Sequence, residues 1–423
     1  MKKVLVLLMV LLLSCSLFSA QKVVLWTWYE GVLGGILRDL IKNDFTPNTG
    51  IEVEVITVPI QDITSKLIMA HIGGVAPDLV EIYSNQAVEL GVRGALYDLK
   101  EFKDAETAIQ AVYPQFLTQL SYGKALFALP GEINWLWTFY RSDLFQEYGL
   151  EPPESWDDVK VLASKLLARK RCMYYDQVGD ASTISATKFL PFLFQNGSDL
   201  YNAKGDASYL DTPASLKAFK DFCSLYTESK MLMEDPINTT FPSGETPLLF
   251  AQVWRYSVFE RIAPQLQGQW SVIEFPGTKK DGKIDHTNTS HGLSWSMTAS
   301  SNNKEAAWVL LKWLVSSKTT GRFMLLANQS TEKWRLFFAS KDTLDNALFP
   351  EKHLAVAKKG MANCRIQRAV IGGYVADRYL DFAFHRVVIQ KEDPETVLKQ
   401  AAKESTLEIK KKLKEFARFI NKL

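Results

Sequence analysis

Histidine and cysteine are scarce in this 423-residue chain, at five and four residues. The histidines are scattered, and no CxxC pair or His/Cys cluster occurs, so nothing has the spacing of a zinc site. No stretch of 18 consecutive apolar residues exists, which excludes an ordinary membrane-spanning helix. An excess of one charge is missing too. The 49 basic residues against 47 acidic leave a net +2, which gives no strongly basic field for nucleic acid. GxSxG, HExxH and Walker motifs are absent, as are internal repeats and low-complexity tracts.

What is abundant is apolar. With 47% hydrophobic residues and near-cancelling charge, the chain has the composition of a folded protein rather than a disordered one. Its length exceeds the roughly 250–300 residues at which single cores stop growing, so two domains or one large α/β body are expected. Eleven tryptophans are many for a neutral chain and call for a use beyond packing.

The N-terminus reads as an export signal. Met1-Lys2-Lys3 precedes an apolar stretch from Val4 to Leu13, then small and polar residues to Ala20. Ten residues rise about 15 Å as a helix, half of a bilayer's hydrocarbon core. Two cleavages compete. Leu12-Leu13-Ser14-Cys15 resembles a lipoprotein box, which would lipidate Cys15; cleavage near Ala20 would release a free protein. The tether after Cys15 is short, which favours release. Loss of residues 1–20 removes two lysines and no acid, leaving a neutral chain. Cys172, Cys223 and Cys364 remain, an odd number, so at least one thiol is free. A Cys172–Cys223 bridge is one arrangement. The amphipathic helical setting of Cys223 favours a buried thiol.

From Lys22 onward, strand and helix patterns alternate. Strands are predicted over 22–27, 51–58 and 77–82, with helices over 31–45, 60–71 and from 86. Short loops between them imply a parallel sheet with right-handed crossovers. Pro130-Gly131 is expected to break the chain between extended segments 122–129 and 135–140. Ser155 caps a helix whose first turn carries Asp157 and Asp158. Helical patterns follow over 186–195, 213–230, 244–266 and 302–316. The polar stretch 276–291 reads as a hinge or surface loop, and 350–423 as helical.

A series of short segments carries a resemblance. VVLWTWYEG is followed by NTGIEVEV, APDLVEIYSNQ, YRSDLFQEYGLEPPESWDDVKVLASKL, GETPLLFAQVWRY and SSNNKEAAWVLLKWLVSSKTTGRFM. In that order, behind an export signal, they resemble an extracellular solute-binding protein of carbohydrate-uptake ABC transporters, the maltose-binding-protein-like family. The resemblance runs from about Val23 to Ala327. It implies an α/β, two-lobed periplasmic-binding-protein fold of type II, with ligand in the cleft. Lobe one would hold 21–129 plus 290–328 and lobe two 130–275 plus 335–423. Segments 276–289 and 329–334 would act as hinges, with a further crossing near 129–134.

A sugar presents flat C–H faces to aromatic rings and hydroxyls to planar polar groups. On that chemistry and the resemblance, the expected ligand contacts are Trp28 and Glu30 after the first strand, and Glu81 and Asn85 around the third. Asn134 and Trp135 lie at the first crossing, Trp254, Arg255 and Tyr256 after the GETPLLF segment, and Trp295 on the returning strand. Asn85 or Ser84 could instead cap the next helix. Trp26, Trp156, Trp308 and Trp313 read as packing, and Trp334 stays open. Trp28, Trp135 and Trp254 as three stations suggest more than one sugar ring. The resemblance implies permease subunits as partners, a monomer, no cofactor, no catalytic residue and no metal. A non-sugar solute on the same fold (iron, a polyol phosphate, a polyamine or a peptide) is the alternative. A secreted glycoside hydrolase, with paired carboxylates, is the more distant one.

Overall fold

The computed structural model describes residues 22–176, 184–344 and 347–421. The leader and Cys15 lie outside the described residues. Among the described residues no helix is long and apolar enough to cross a membrane.

Strands β1 (Lys22–Thr27), β2 (Glu52–Thr57) and β3 (Leu79–Tyr83) are parallel, in the order β2-β1-β3. Helices Gly31–Leu40 and Ile60–Ile72 make the crossovers, as the short apolar strands and intervening amphipathic patterns predict. The first helix tightens its exit through a π-helical turn, Ile41–Phe45, and a last turn, Thr46–Thr49, that stops at Gly50 with φ 71°.

The central element is β4 (Leu129–Tyr140), in which every residue but Asn134 is buried. Its partners change halfway. Leu129–Trp135 pairs antiparallel with β8 (Ser290–Met297), which itself pairs with β3. Leu136–Tyr140 pairs with β6 (Leu248–Gln252), and Trp137–Tyr140 also with β7 (Ser271–Glu274). Strand β5 (Met173–Tyr175) runs parallel to β6 at the far edge. The sheet is therefore mixed, with eight strands among the described residues counting the long one. A return segment, 336–339, bonds to β4 as well: Ile133 N–H donates to Phe337 O, and Ala339 N–H to Gly131 O.

Two expectations give way here. Pro130-Gly131 does not interrupt the strand. The register of β8 shifts between Gly292 and Ser294, and Pro130 faces Ser294 at that bulge, where a missing N–H disturbs the ladder least. Gly131 is kept bare by Trp295, whose Nε1 would lie 2.9 Å from an added Cβ. The helix expected over 244–266 is strand β6 followed by helix Arg255–Ile262. A five-residue run buried throughout has no period to tell strand from helix. The stretch 276–291 holds the hairpin Thr278–Lys280 with Lys283–Asp285, whose turn is exposed, and the start of β8.

The buried apolar residues form two clusters. One spreads from β1–β3 along β4 to Phe241 and Phe259. The other is walled by helices Trp156–Leu167, Ile184–Gln195, Pro213–Thr227 and Gly373–Val388. Ser155 begins the first of these with a reciprocal cap, its Oγ accepting from Asp158 N–H while the Asp158 carboxylate accepts from Ser155 N–H. The segment 350–423 is mostly helical as expected, ending in Pro394–Ile420. Trp156 stacks on Phe192 at 4.2 Å and Trp308 on Phe102 at 4.6 Å, both as packing. Cys172, Cys223 and Cys364 are free thiols, the latter two buried.

The bulge gives a test. A Cβ at Gly292 would sit 2.5 Å from the Glu132 carbonyl oxygen of β4. Backbone cannot swing aside as a side chain can, so Gly292→Ala is expected to cost about 2 kcal/mol. Urea denaturation of the two proteins checks this, and an unchanged midpoint would refute it.

Candidate functional site

The predicted contacts fall into two groups. The first gathers at the ends of β1 and β3 and on the first half of β4. Trp28 is half-buried beyond β1, its ring 4.9 Å from that of Tyr29. Glu30 is exposed at the N-cap of helix Gly31–Leu40 and makes no capping bond. Asn85 is exposed in the single turn Ser84–Gln86 and caps nothing. Ser84 is instead buried, its hydroxyl 2.5 Å from that of Ser294. Asn134 is half-buried, and its Nδ2 donates to Glu132 Oε1 at 3.1 Å.

The second group surrounds the end of β6. Trp254 is half-buried at the start of helix Arg255–Ile262, and its Nε1 donates to Gln252 Oε1 at 3.1 Å. The Arg255 guanidinium lies 4.3 Å above the Trp254 ring. The same guanidinium donates from Nε and Nη2 to both oxygens of Asp176, at 2.5 and 3.0 Å, and from Nη1 to Asn238 Oδ1 at 3.0 Å.

Four of the expected contacts are enclosed. Trp135 has no exposed surface. Its ring packs 4.7 Å from Phe337, and Gly360 crosses its edge so closely that an added Cβ would lie 2.5 Å from Nε1. Trp295 is buried opposite Glu81 in the ladder, against Gly131. Tyr256 is buried between Trp270 and Phe349, with its hydroxyl 2.8 Å from His353 Nδ1. None of these three rings offers a face to a ligand in this structure. Glu81 is fully buried in β3 and accepts from Thr27 Oγ1 at 2.6 Å. The three-station idea accordingly loses Trp135. Strand alternation cannot separate a ring on a core face from one on a ligand face when both faces of the strand are buried.

Under the first group lies a buried polar cluster that sequence reading only brushed. Glu81 Oε1, Glu132 Oε2 and the Tyr29 hydroxyl are all enclosed and without a hydrogen-bond partner among the described residues. Burial pushes the Glu81 carboxyl up to about 8, with the Thr27 bond pulling the other way and Glu132 adding to the push. Burial likewise raises Glu132 to about 7, against the bond from Asn134. On β8, burial lowers His291 to about 4, so the ring is neutral near pH 7. Among the described residues no three His, Cys, Asp or Glu side chains come together as metal ligands. Asp176, Gln252 and Asn238 were missed altogether. Asp176 carries one signal, an acid directly after a short apolar segment (MYYD), but a three-residue strand is too short to declare itself.

A long mixed sheet, a strand shared between two halves, and polar and aromatic side chains at strand ends define the two-lobed α/β ligand-binding fold. The fold is shared with the cyclic α-maltosyl-1,6-maltose binding protein of Arthrobacter globiformis, at a TM-score of 0.78 and 16% identity over 93% of this chain and 100% of that one. The sugar-binding protein MalE of Xanthomonas citri matches at 0.76 and 18% identity, over 94% and 100%. The chain belongs to the bacterial extracellular solute-binding protein family, whose model matches residues 30–320. Among curated relatives, the multiple sugar-binding protein of Streptococcus mutans is 23% identical over 203 residues, covering 48% of this chain and 44% of the relative. The match thus spans less than half of that protein's length.

The buried acids predict a pH dependence of stability. Both folded carboxyls lie above their ordinary value of 4.5, so their contribution is complete below about that pH. It is lost as pH rises through about 7 and about 8, because the unfolded chain ionises freely while the folded one resists. The double variant Glu81→Gln, Glu132→Gln is expected to lose less melting temperature than wild type between pH 5 and 8. Parallel melting curves across that range would contradict the assignment.

Proposed function

We propose that this protein is an exported binding protein that captures a sugar, an oligosaccharide in particular, between two lobes and delivers it to the permease of an ABC transporter. The observation that carries the reading is the Trp254 station. One face of the indole is covered by Arg255 and its N–H is tied to Gln252, and the ring is half-buried rather than enclosed, which suits it to the flat C–H side of a sugar. Glu30, Asn85 and Asn134, with Trp28, supply the planar polar groups and second ring that hydroxyls and a further sugar unit require. Trp135, Trp295, Tyr256 and Glu81 then act beneath the site, as support.

In this reading lobe one spans about 21–129 plus 290–328, and lobe two 130–275 plus 335–423. The change of partners between Trp135 and Leu136 of β4 supports a crossing inside that strand. Closure of the lobes on ligand follows from contacts made only in the closed form. The protein works as a monomer, outside the cytoplasm, freed by cleavage near Ala20 or held through a lipid on Cys15. Catalysis is not part of the role. Glu81 and Glu132, two carboxyls close enough to influence each other, are buried in the sheet. The sugar assignment draws support from the relatives described as binding multiple sugars and cyclic maltosyl-maltose.

A thermal-shift screen of residues 21–423 against mono- and oligosaccharides tests this, with iron and amino acids as controls. A ligand at 1,000 times its Kd adds about 4 kcal/mol, a shift of several degrees. A response to a control alone would move the solute, and sugar turnover would move the class. With a sugar found, Trp254→Ala is expected to weaken binding about tenfold or more, the scale of one aromatic contact plus lost apolar area, while remaining folded. Normal affinity in that variant would remove Trp254 from the site.

A further inference from the structure

The Trp254 ring is set by residues from four separate elements. Asp176 stands at the end of β5, with its side chain only 3% exposed. Its two oxygens take the Arg255 fork, with Nε to Oδ2 at 2.5 Å and Nη2 to Oδ1 at 3.0 Å. A bidentate fork fixes the plane of a guanidinium as well as its position. The remaining arm reaches Asn238, on helix Ile237–Ser243, at 3.0 Å. Held in that plane, the guanidinium lies 4.3 Å over the indole, while Gln252 at the end of β6 ties the indole N–H. Lys188 lies close by, its Nζ donating to the carbonyl of Tyr175, the residue before Asp176, and burial lowers this amine to about 7. A buried carboxylate that binds one arginine on two arms is a rigid anchor, since neither partner can leave without stranding the other's charge.

We propose that Asp176 is a positioning residue for ligand recognition: it locks Arg255 against one face of Trp254 so that the other face is presented in a single orientation. Asp176 touches no ligand itself. It lowers the ordering cost of binding by presetting the ring, as rigid supporting shells do elsewhere. The inference rests on the reading of Trp254 as a sugar platform, yet its structural half stands apart from any ligand.

The test has two arms. In the first, the protein is labelled with 5-fluorotryptophan, and the Trp254 ¹⁹F resonance is assigned by its loss in Trp254→Phe. Asp176→Asn is expected to broaden or move that line and leave the Trp308 and Trp313 lines in place. An unchanged Trp254 line overturns the proposal, whatever the ligand proves to be. In the second arm, affinity for the best saccharide of the thermal-shift screen is measured in a double-mutant cycle. Asp176→Asn should weaken binding about tenfold in wild type, the scale of one lost charge-assisted bond. It should weaken binding less than about twofold when Trp254 is already alanine, because both changes then act through one ring. Equal losses in both backgrounds would show a general structural role and overturn the proposal. If Asp176→Asn does not fold, Arg255→Lys takes its place in both arms. A lysine keeps the charge but cannot fork onto the carboxylate while lying flat on the indole. Absence of any saccharide binder would count against the sugar reading, and the ¹⁹F arm would still decide the positioning role.

Discussion

Everything in this molecule hangs on the backbone hydrogen bonds of one strand. Leu129–Tyr140 is too long to belong to one neighbourhood, and its ladder passes from β8 to β6 and β7 between Trp135 and Leu136. Each buried N–H and C=O along it must find a partner, since an unpaired one costs about as much as a lost hydrogen bond. The change of partners therefore decides where β3, β6 and the return segment 336–339 can lie. It also explains the small residues around it. Gly131 makes room for Trp295, Gly292 for the Glu132 carbonyl and Gly360 for Trp135. Large rings fill the space beside the shared strand, and the backbone positions pressed against them or against its carbonyls are glycine.

The tryptophan surplus resolves along the same line. Trp135, Trp137 and Trp295 fill the interior beside the shared strand, and Trp156 and Trp308 lock helices onto it. Trp28 and Trp254 are different, half-buried at strand ends with polar neighbours. An aromatic ring gains most by burying both faces, so a ring left with one open face needs something else to hold it. For Trp254 that is the guanidinium of Arg255 and, behind it, Asp176. For Trp28 it is the underlying cluster of Tyr29, Glu81 and Glu132, where enclosed acids are more easily kept protonated than charged.

The family, the strand–helix alternation of the first ninety residues and the helical segment 350–423 could be read directly from the chain. Local patterning decides them: β1 and its crossover helix occupy the predicted positions because an apolar hexamer and an amphipathic run admit no other use. The capping role of Ser155 was equally open to reading, since a cap involves only residues three apart. Glu30, Asn85 and Trp254 were expected in turns after strand ends, and they lie there exposed or half-buried.

Three-dimensional contact decided the rest. Whether Pro130-Gly131 ends a strand depends on a bulge in Ser290–Met297, some 160 residues away in sequence, at a pairing no local pattern encodes. Whether Trp135 or Trp254 meets a ligand depends on what lies against the second face of each ring. Phe337 and Gly360 close one, and Arg255 covers only one side of the other. Asp176 gains its place only because β5 sets its carboxylate beside an arginine that follows the same end of the parallel strand β6. Residue type and period report which groups are apolar, charged or flat. Burial, orientation and partnership are properties of the assembled chain, because they are fixed by atoms far apart in sequence.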